Sequence, residues 1–279
     1  MNPIIELHPW LAYPSGQALL EWEQAEIDRL VADIFGFHAL QLGMPELDGL
    51  QCNRMPHRWL AVDDRYAHWR LPSESAPWIS APQISPNALS NGTALGLRCS
   101  FTELPFPAQS LDLVVMPHTL ELTQAPHATL REVERVLVPE GRVLITGFNP
   151  SSLWGLKQKM TRLGMSSNFV LPQGDFLAYW RLRDWLRLLN FDIDAGGFGC
   201  YRPMVESARA WHRMRWMERA GERWWPVLGA VYVLVAVKRA HGIRLIGQIK
   251  RSSVVPASAP AMVARSPRQA GLHTKEVEE

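Results

Sequence analysis

A histidine and a glutamate, His118 and Glu121, stand three residues apart just beyond the apolar run LDLVVMP, Leu111–Pro117. An imidazole titrates near neutrality and can take a proton from a substrate hydroxyl, which makes His118 the candidate catalytic residue. The competing reading is a loop histidine bonded to backbone. Glu121 can orient that ring, or simply begin the connection to the next helix. Nearby His127 reads as a solvent-facing residue of that helix. Asn149 precedes Pro150, so it reads either as a substrate contact or as a turn former. Trp154, Trp180 and Trp185 could line an apolar acceptor pocket, with Trp154 the lid candidate; at helical spacing Trp185 also fits a core position.

Metal chemistry finds no support. Cys52, Cys99 and Cys200 are far apart, odd in number and in no ligand spacing, so neither a zinc site nor a disulfide framework is expected. The 279 residues carry 29 Lys+Arg against 27 Asp+Glu, a net charge of +2, so a polyanion partner would need a local patch. One such patch exists. RAWHRMRWMERAGERWW, Arg209–Trp225, interleaves arginine with tryptophan and suits peripheral membrane or RNA contact; the plainer reading is a helix packed on the sheet. The start of the chain lacks a basic leader before an apolar run, and VLGAVYVLVAV, Val227–Val237, is about half of what a membrane-spanning helix needs. A cytoplasmic protein is the expectation.

These residues must be held by a framework, and hydrophobic periodicity supplies one. Ser15 is a candidate N-cap for an amphipathic helix whose apolar positions are Leu20, Ile27, Leu30, Val31 and Ile34, ending at Gly36. FHALQLG and HRWLAV read as short strands. Residues 70–95 are rich in Pro, Ser, Asn and Gly and read as a loop. LDLVVMP and RVLITGF are continuous apolar runs, the mark of strands covered on both faces. Between them Pro126 opens a helix with Leu130, Val133 and Leu137 facing inward. A helix capped by Asp175 and closed at Asn190, a strand FDIDAGGFG, a helix near 205–220 and the strand VLGAVYVLVAVKR follow. Alternating strands and helices with short links imply an α/β sheet with right-handed crossovers.

The stretch FTELPFPAQSLDLVVMPHTLELTQAPHATLREVERVLVPEGRVLITGFNP, Phe101–Pro150, closely resembles class I S-adenosylmethionine-dependent methyltransferases of the small-molecule, ubiquinone/menaquinone-like type 11 family. The resemblance is carried by Leu104–Phe106, Ser110–Val115, Arg135–Leu137 with Pro139 and Gly141, and Phe148–Asn149. It implies a Rossmann-like sheet of seven strands, helices on both faces and the last strand antiparallel. The implied domain spans residues 1–250, with its core at about 15–240 and an insertion at 150–176, before a disordered tail at 251–279.

The same resemblance implies S-adenosylmethionine as cofactor and places its contacts. The family's acid-x-Gly-x-Gly-x-Gly stands here as QLGMPEL, with Gln41 for the acid, Gly43 kept, and Pro45 and Leu47 at later glycines. Gln41 offers a neutral carbonyl to the ammonium, and Gly43 allows close backbone approach. Asp63 ends the second strand as ribose partner, Ser100 and Phe101 flank the adenine, and Pro117 ends strand four. Two functions follow: methyl transfer to a small-molecule or lipid-like acceptor, or a methyltransferase-like interaction scaffold that has lost the cofactor.

Overall fold

Apart from Asp112, the segment Leu111–Pro117 is apolar and buried along its length, so it has to be covered on both faces. The computed structural model describes residues 7–63, 95–162, 175–203 and 213–239. The loop expected over 70–95, most of the far half of the 150–176 insertion, the first residues of the Arg/Trp stretch and the tail from 251 lie outside the described residues, apart from Leu95.

Seven strands form one sheet: β1 (His38–Leu42), β2 (His57–Val62), β3 (Leu95–Arg98), β4 (Leu111–Pro117), β5 (Leu137–Phe148), β6 (Phe191–Gly199) and β7 (Val231–Lys238), in the order β3-β2-β1-β4-β5-β7-β6. The pairings β1–β2, β1–β4, β2–β3 and β4–β5 are parallel. β7 enters antiparallel between β5 and β6, as the resemblance implied. The direction of strand order reverses between β1 and β4, and in open α/β sheets ligands bind outside the carboxyl ends at such a reversal.

Alternation along the strands divides the core between two faces. Val114, Met116, Val143 and Ile145 face Leu130, Val133 and Val136 of α4 (Pro126–Val136) and Leu182 and Leu186 of α6 (Tyr179–Leu188). Leu113, Val115, Leu144 and Val233 face Ile27 and Val31 of α2 (Pro14–Val31). The other helices among the described residues are short: α1 (Leu7–Trp10), α3 (Thr119–Leu122), α5 (Leu153–Arg162) and α7 (Trp216–Trp224).

The start of α2 departs from expectation. Tyr13 is its N-cap and Pro14 its first residue, where a missing N–H costs nothing; Ser15 is buried inside the first turn. Beyond the first turn its buried positions are Leu19, Glu23, Ile27 and Val31, four apart, so the stripe carries a carboxylate.

Candidate active site

The carboxyl ends of β1, β2 and β4 bring the candidate residues to one edge of the sheet. Gly43 follows β1 in the left-handed region, φ 72°, which favours glycine, and its N–H donates to the Ala61 carbonyl of β2 at 2.7 Å. A Cβ there would meet the Phe101 ring at 3.6 Å and the Thr119 hydroxyl at 3.7 Å. Phe101 is buried, and Ser100 beside it is exposed, its hydroxyl 2.8 Å from that of Thr102. Asp63, half-buried, continues from Val62, whose carbonyl accepts the Cys99 N–H at 3.0 Å. The carboxylate is close enough to act on Cys99: burial, and then the Asp63 charge, push that thiol up to about 11. Pro117 is buried at the end of β4. Gly43, Asp63, Ser100, Phe101 and Pro117 thus stand at or just past the carboxyl ends of the first four strands, at the edge where the strand order reverses.

Gln41 does not join them. Its side chain is buried and turns back into the loop that follows β1. The amide nitrogen donates to the carbonyls of Gly43, Met44 and Leu47 at 3.2, 3.1 and 2.8 Å, and the amide oxygen accepts the Gly49 N–H at 2.8 Å. An amide can do both; a carboxylate in the same place would confront three carbonyl oxygens. The residue expected to greet an ammonium therefore braces the loop.

His118 also differs from its expectation. It is fully buried, with φ 48°, and both ring nitrogens are committed. Nδ1 lies 2.9 Å from a Glu121 oxygen, and Nε2 lies 2.9 Å from a Glu23 oxygen. The Glu23 contact is an ion pair without hydrogen-bond alignment, whereas Glu121 is well directed. Burial alone would lower the imidazole pKa, but the Glu23 charge and the Glu121 hydrogen bond outweigh it and raise it to about 10. A protonated, enclosed ring has no nitrogen to offer a substrate, so the general-base role does not fit this geometry.

Glu121 orients His118, the first of its two expected readings, and does more. Its oxygens accept the N–H groups of Phe148 at 2.9 Å and Leu177 at 3.1 Å, joining the ends of β4 and β5 to the segment before α6. Tyr232 donates to the Leu177 carbonyl at 3.0 Å. Burial raises the Glu121 pKa, and the His118 hydrogen bond works against that rise.

A second bracket holds the LPF turn. Glu132 accepts the Leu104 N–H at 2.8 Å, and Arg135, paired with Glu132, donates to the Leu104 and Phe106 carbonyls at 3.2 and 2.9 Å. The family-like LPF and E-x-x-R-V-L stretches are therefore parts of one contact.

Sequence reasoning missed Glu23 as a site residue, although an acid at i+4 from Leu19 and i−4 from Ile27 was its signal. The aromatic expectations also sort themselves. Trp154 is buried and donates to the Arg202 carbonyl at 2.8 Å, so it is core rather than lid. His127 is exposed, its ring tilted at 47° against the half-buried Trp185 with centroids 3.7 Å apart. Asn149 is the turn former, donating to the Val227 and Gly229 carbonyls and accepting from Ser151. Among the described residues no group of His, Cys, Asp and Glu could hold a metal ion, and no helix is long and apolar enough to cross a membrane.

Comparison with known proteins agrees with this architecture. A family model described as a methyltransferase domain matches residues 79–145. The uncharacterised protein YafS of Escherichia coli (strain K12) is 30% identical over 239 residues, covering 85% of this chain and 82% of that protein. Among solved structures, a chain of the Haloferax volcanii complex with the Trm112 methyltransferase activator superposes with a TM-score of 0.52 at 17% identity, over 85% of this chain and 97% of that one. An S-adenosylmethionine-dependent methyltransferase from Thermotoga maritima gives 0.49 at 14%, over 80% and 92%. The chain belongs to the same family as YafS, within the class I S-adenosylmethionine-dependent methyltransferases of type 11.

Proposed function

We propose that this protein transfers a methyl group from S-adenosylmethionine to a small-molecule or lipid-like acceptor, with the nucleoside half of the cofactor held in the β1–β2–β4 crevice. The observation that carries the reading is the meeting of a left-handed Gly43, the Asp63 carboxylate and the Ser100–Phe101 pair at one edge, from three separate strand ends. The donor set suits a nucleoside: Asp63 can accept from the ribose diol, Ser100 offers a hydroxyl to the adenine amino group, and Phe101 offers an apolar ring. The cofactor's sulfonium supplies an already electrophilic methyl group. What remains for the protein is to orient the acceptor in line and exclude water.

Within this reading Gln41 and His118 position the site rather than touch ligand. Gln41 sets the curvature of the loop that presents Gly43. His118, between Glu23 and Glu121, fixes the distance between α2 and the ends of β4 and β5.

Isothermal calorimetry tests the assignment with S-adenosylmethionine and S-adenosylhomocysteine. Binding is expected, and Asp63→Ala should weaken it about tenfold, the loss of a charge-assisted hydrogen bond. Absence of heat and of a thermal shift at saturating ligand would overturn methyl transfer in favour of the scaffold reading.

A further inference from the structure

We propose that the face formed by α5, α7 and the 3₁₀ turn Pro226–Leu228 docks on an anionic lipid surface. The inference deepens the lipid-like acceptor reading above and rests on it only for the nature of the acceptor.

α7 buries a single residue, Gly221, whose missing Cβ lets the helix backbone lie against the Tyr201 ring. Its large side chains are left in water: Trp216 and Trp224 are each 65% exposed, and Trp225 is 55% exposed. The apolar surface continues through Val227 and Leu228, 45% and 44% exposed. On α5, Leu153, Leu156 and Met160 stand at i, i+3 and i+7 and are exposed as well. Hydrogen bonds and an ion pair tie the two elements together. Trp154 of α5 donates to the Arg202 carbonyl, and the Arg202 guanidinium pairs with Glu218 of α7 at 2.8 Å. Asn149, just before α5, donates to the carbonyls at 227 and 229.

Charge decides what covers this surface. Arg213, Arg215, Arg219 and Arg223 are exposed, and none makes an ion pair among the described residues. Of the acids on α7, Glu218 is already paired with Arg202. Tryptophan beside arginine suits the headgroup level of a bilayer, with the rings at the hydrocarbon boundary and the guanidinium groups on phosphate. The aliphatic side chains favour lipid over a single-stranded nucleic acid, which stacks on aromatic rings and gains little from Leu153, Leu156 or Leu228.

Location supplies the functional link. Phe148 at the end of β5 and Gly199 at the end of β6 both pair with Val231 at the start of β7, so the patch sits at the carboxyl edge of the sheet. That is the edge that carries Gly43, Asp63 and Pro117. Docking would hold the site against the bilayer and let an acceptor dissolved there enter without crossing water.

Flotation of the full-length protein with phosphatidylglycerol vesicles and with phosphatidylcholine vesicles tests the inference, since it reads docking without cofactor or turnover. Binding to the anionic vesicles at low salt is expected, at least about tenfold stronger than to the neutral ones, with a blue shift of tryptophan fluorescence. The paired variants Trp216→Ser with Trp224→Ser, and Arg219→Gln with Arg223→Gln, change exposed residues only and should each lower it about tenfold, with unaltered circular dichroism. Three results would overturn the proposal: no flotation with either vesicle, flotation unchanged in both variants, or vesicle-independent binding of single-stranded RNA or self-association that the same variants abolish. Loss of cofactor binding in calorimetry would instead overturn methyl transfer and leave the flotation result standing.

Discussion

Glu121 Oε2 lies 2.9 Å from His118 Nδ1 in a space closed to solvent, while the same carboxylate accepts the backbone N–H groups of Phe148 and Leu177. One side chain thus joins the end of β4, the end of β5 and the approach to α6. Glu23 approaches the far side of the ring from α2, which brings that helix into the same cluster.

Alkaline pH should loosen this junction. The folded-state pKa of His118 is raised from 6.5 to about 10, so its stabilisation is complete below the unfolded value and is lost as pH rises through the folded one. The raised pKa of Glu121 acts in the same direction, because the folded state holds its proton more tightly than the unfolded chain does. Urea midpoints measured from pH 6 upward should fall steadily toward about pH 10. A profile flat across that window would remove the charged imidazole.

Truncating one member of the cluster should cost more than a surface change. Glu121→Ala leaves a buried imidazolium short of one carboxylate and two N–H groups without acceptors, a loss of about 3–5 kcal/mol in denaturant unfolding. A loss below about 1 kcal/mol would show that solvent reaches the junction.

Gln41→Glu separates the bracing role from a ligand role. Restoring the family's acid would turn a donor facing three carbonyl oxygens into an acceptor, and should destabilise the fold by about 1–3 kcal/mol. Calorimetry on the same variant should show no gain in affinity for S-adenosylmethionine; tighter binding would return Gln41 to the ligand.

Arg135→Met should release the LPF turn while leaving α4 helical. The guanidinium's bonds to the Leu104 and Phe106 carbonyls would be lost, a cost of about 1–2 kcal/mol, and the neighbouring Phe101 would be less well held. Cofactor affinity should fall a few-fold. An affinity equal to that of the parent protein would uncouple the turn from the crevice.

Local pattern was enough for much of the architecture. The apolar run at 111–117 is a strand covered on both faces, and so is the run expected from Val227 once it passes the 3₁₀ turn and reaches Val231; Pro126 opens a helix, and Asn190 adopts the left-handed conformation after α6. Such signals lie within a few residues of one another, and the period of side-chain burial is a property of the chain itself. The LPF and R-V-L stretches carry the family resemblance by their residues and spacing alone.

What only the tertiary structure decided is where polar side chains spend their hydrogen bonds. His118 followed a strand at the ligand edge, and from the sequence its ring was free to serve a substrate; the partner that encloses its far side, Glu23, is 95 residues earlier on α2. By its place in the sequence Gln41 is a neutral substitute for a ligand acid, whereas the fold surrounds it with the Gly49 N–H and three carbonyls. Arg135 was one letter of a motif until Leu104 and Phe106 came within reach, 31 and 29 residues away. A residue's type sets which bonds it can form, but folding chooses the partners, because a buried polar group must be satisfied by whatever the packed elements bring beside it.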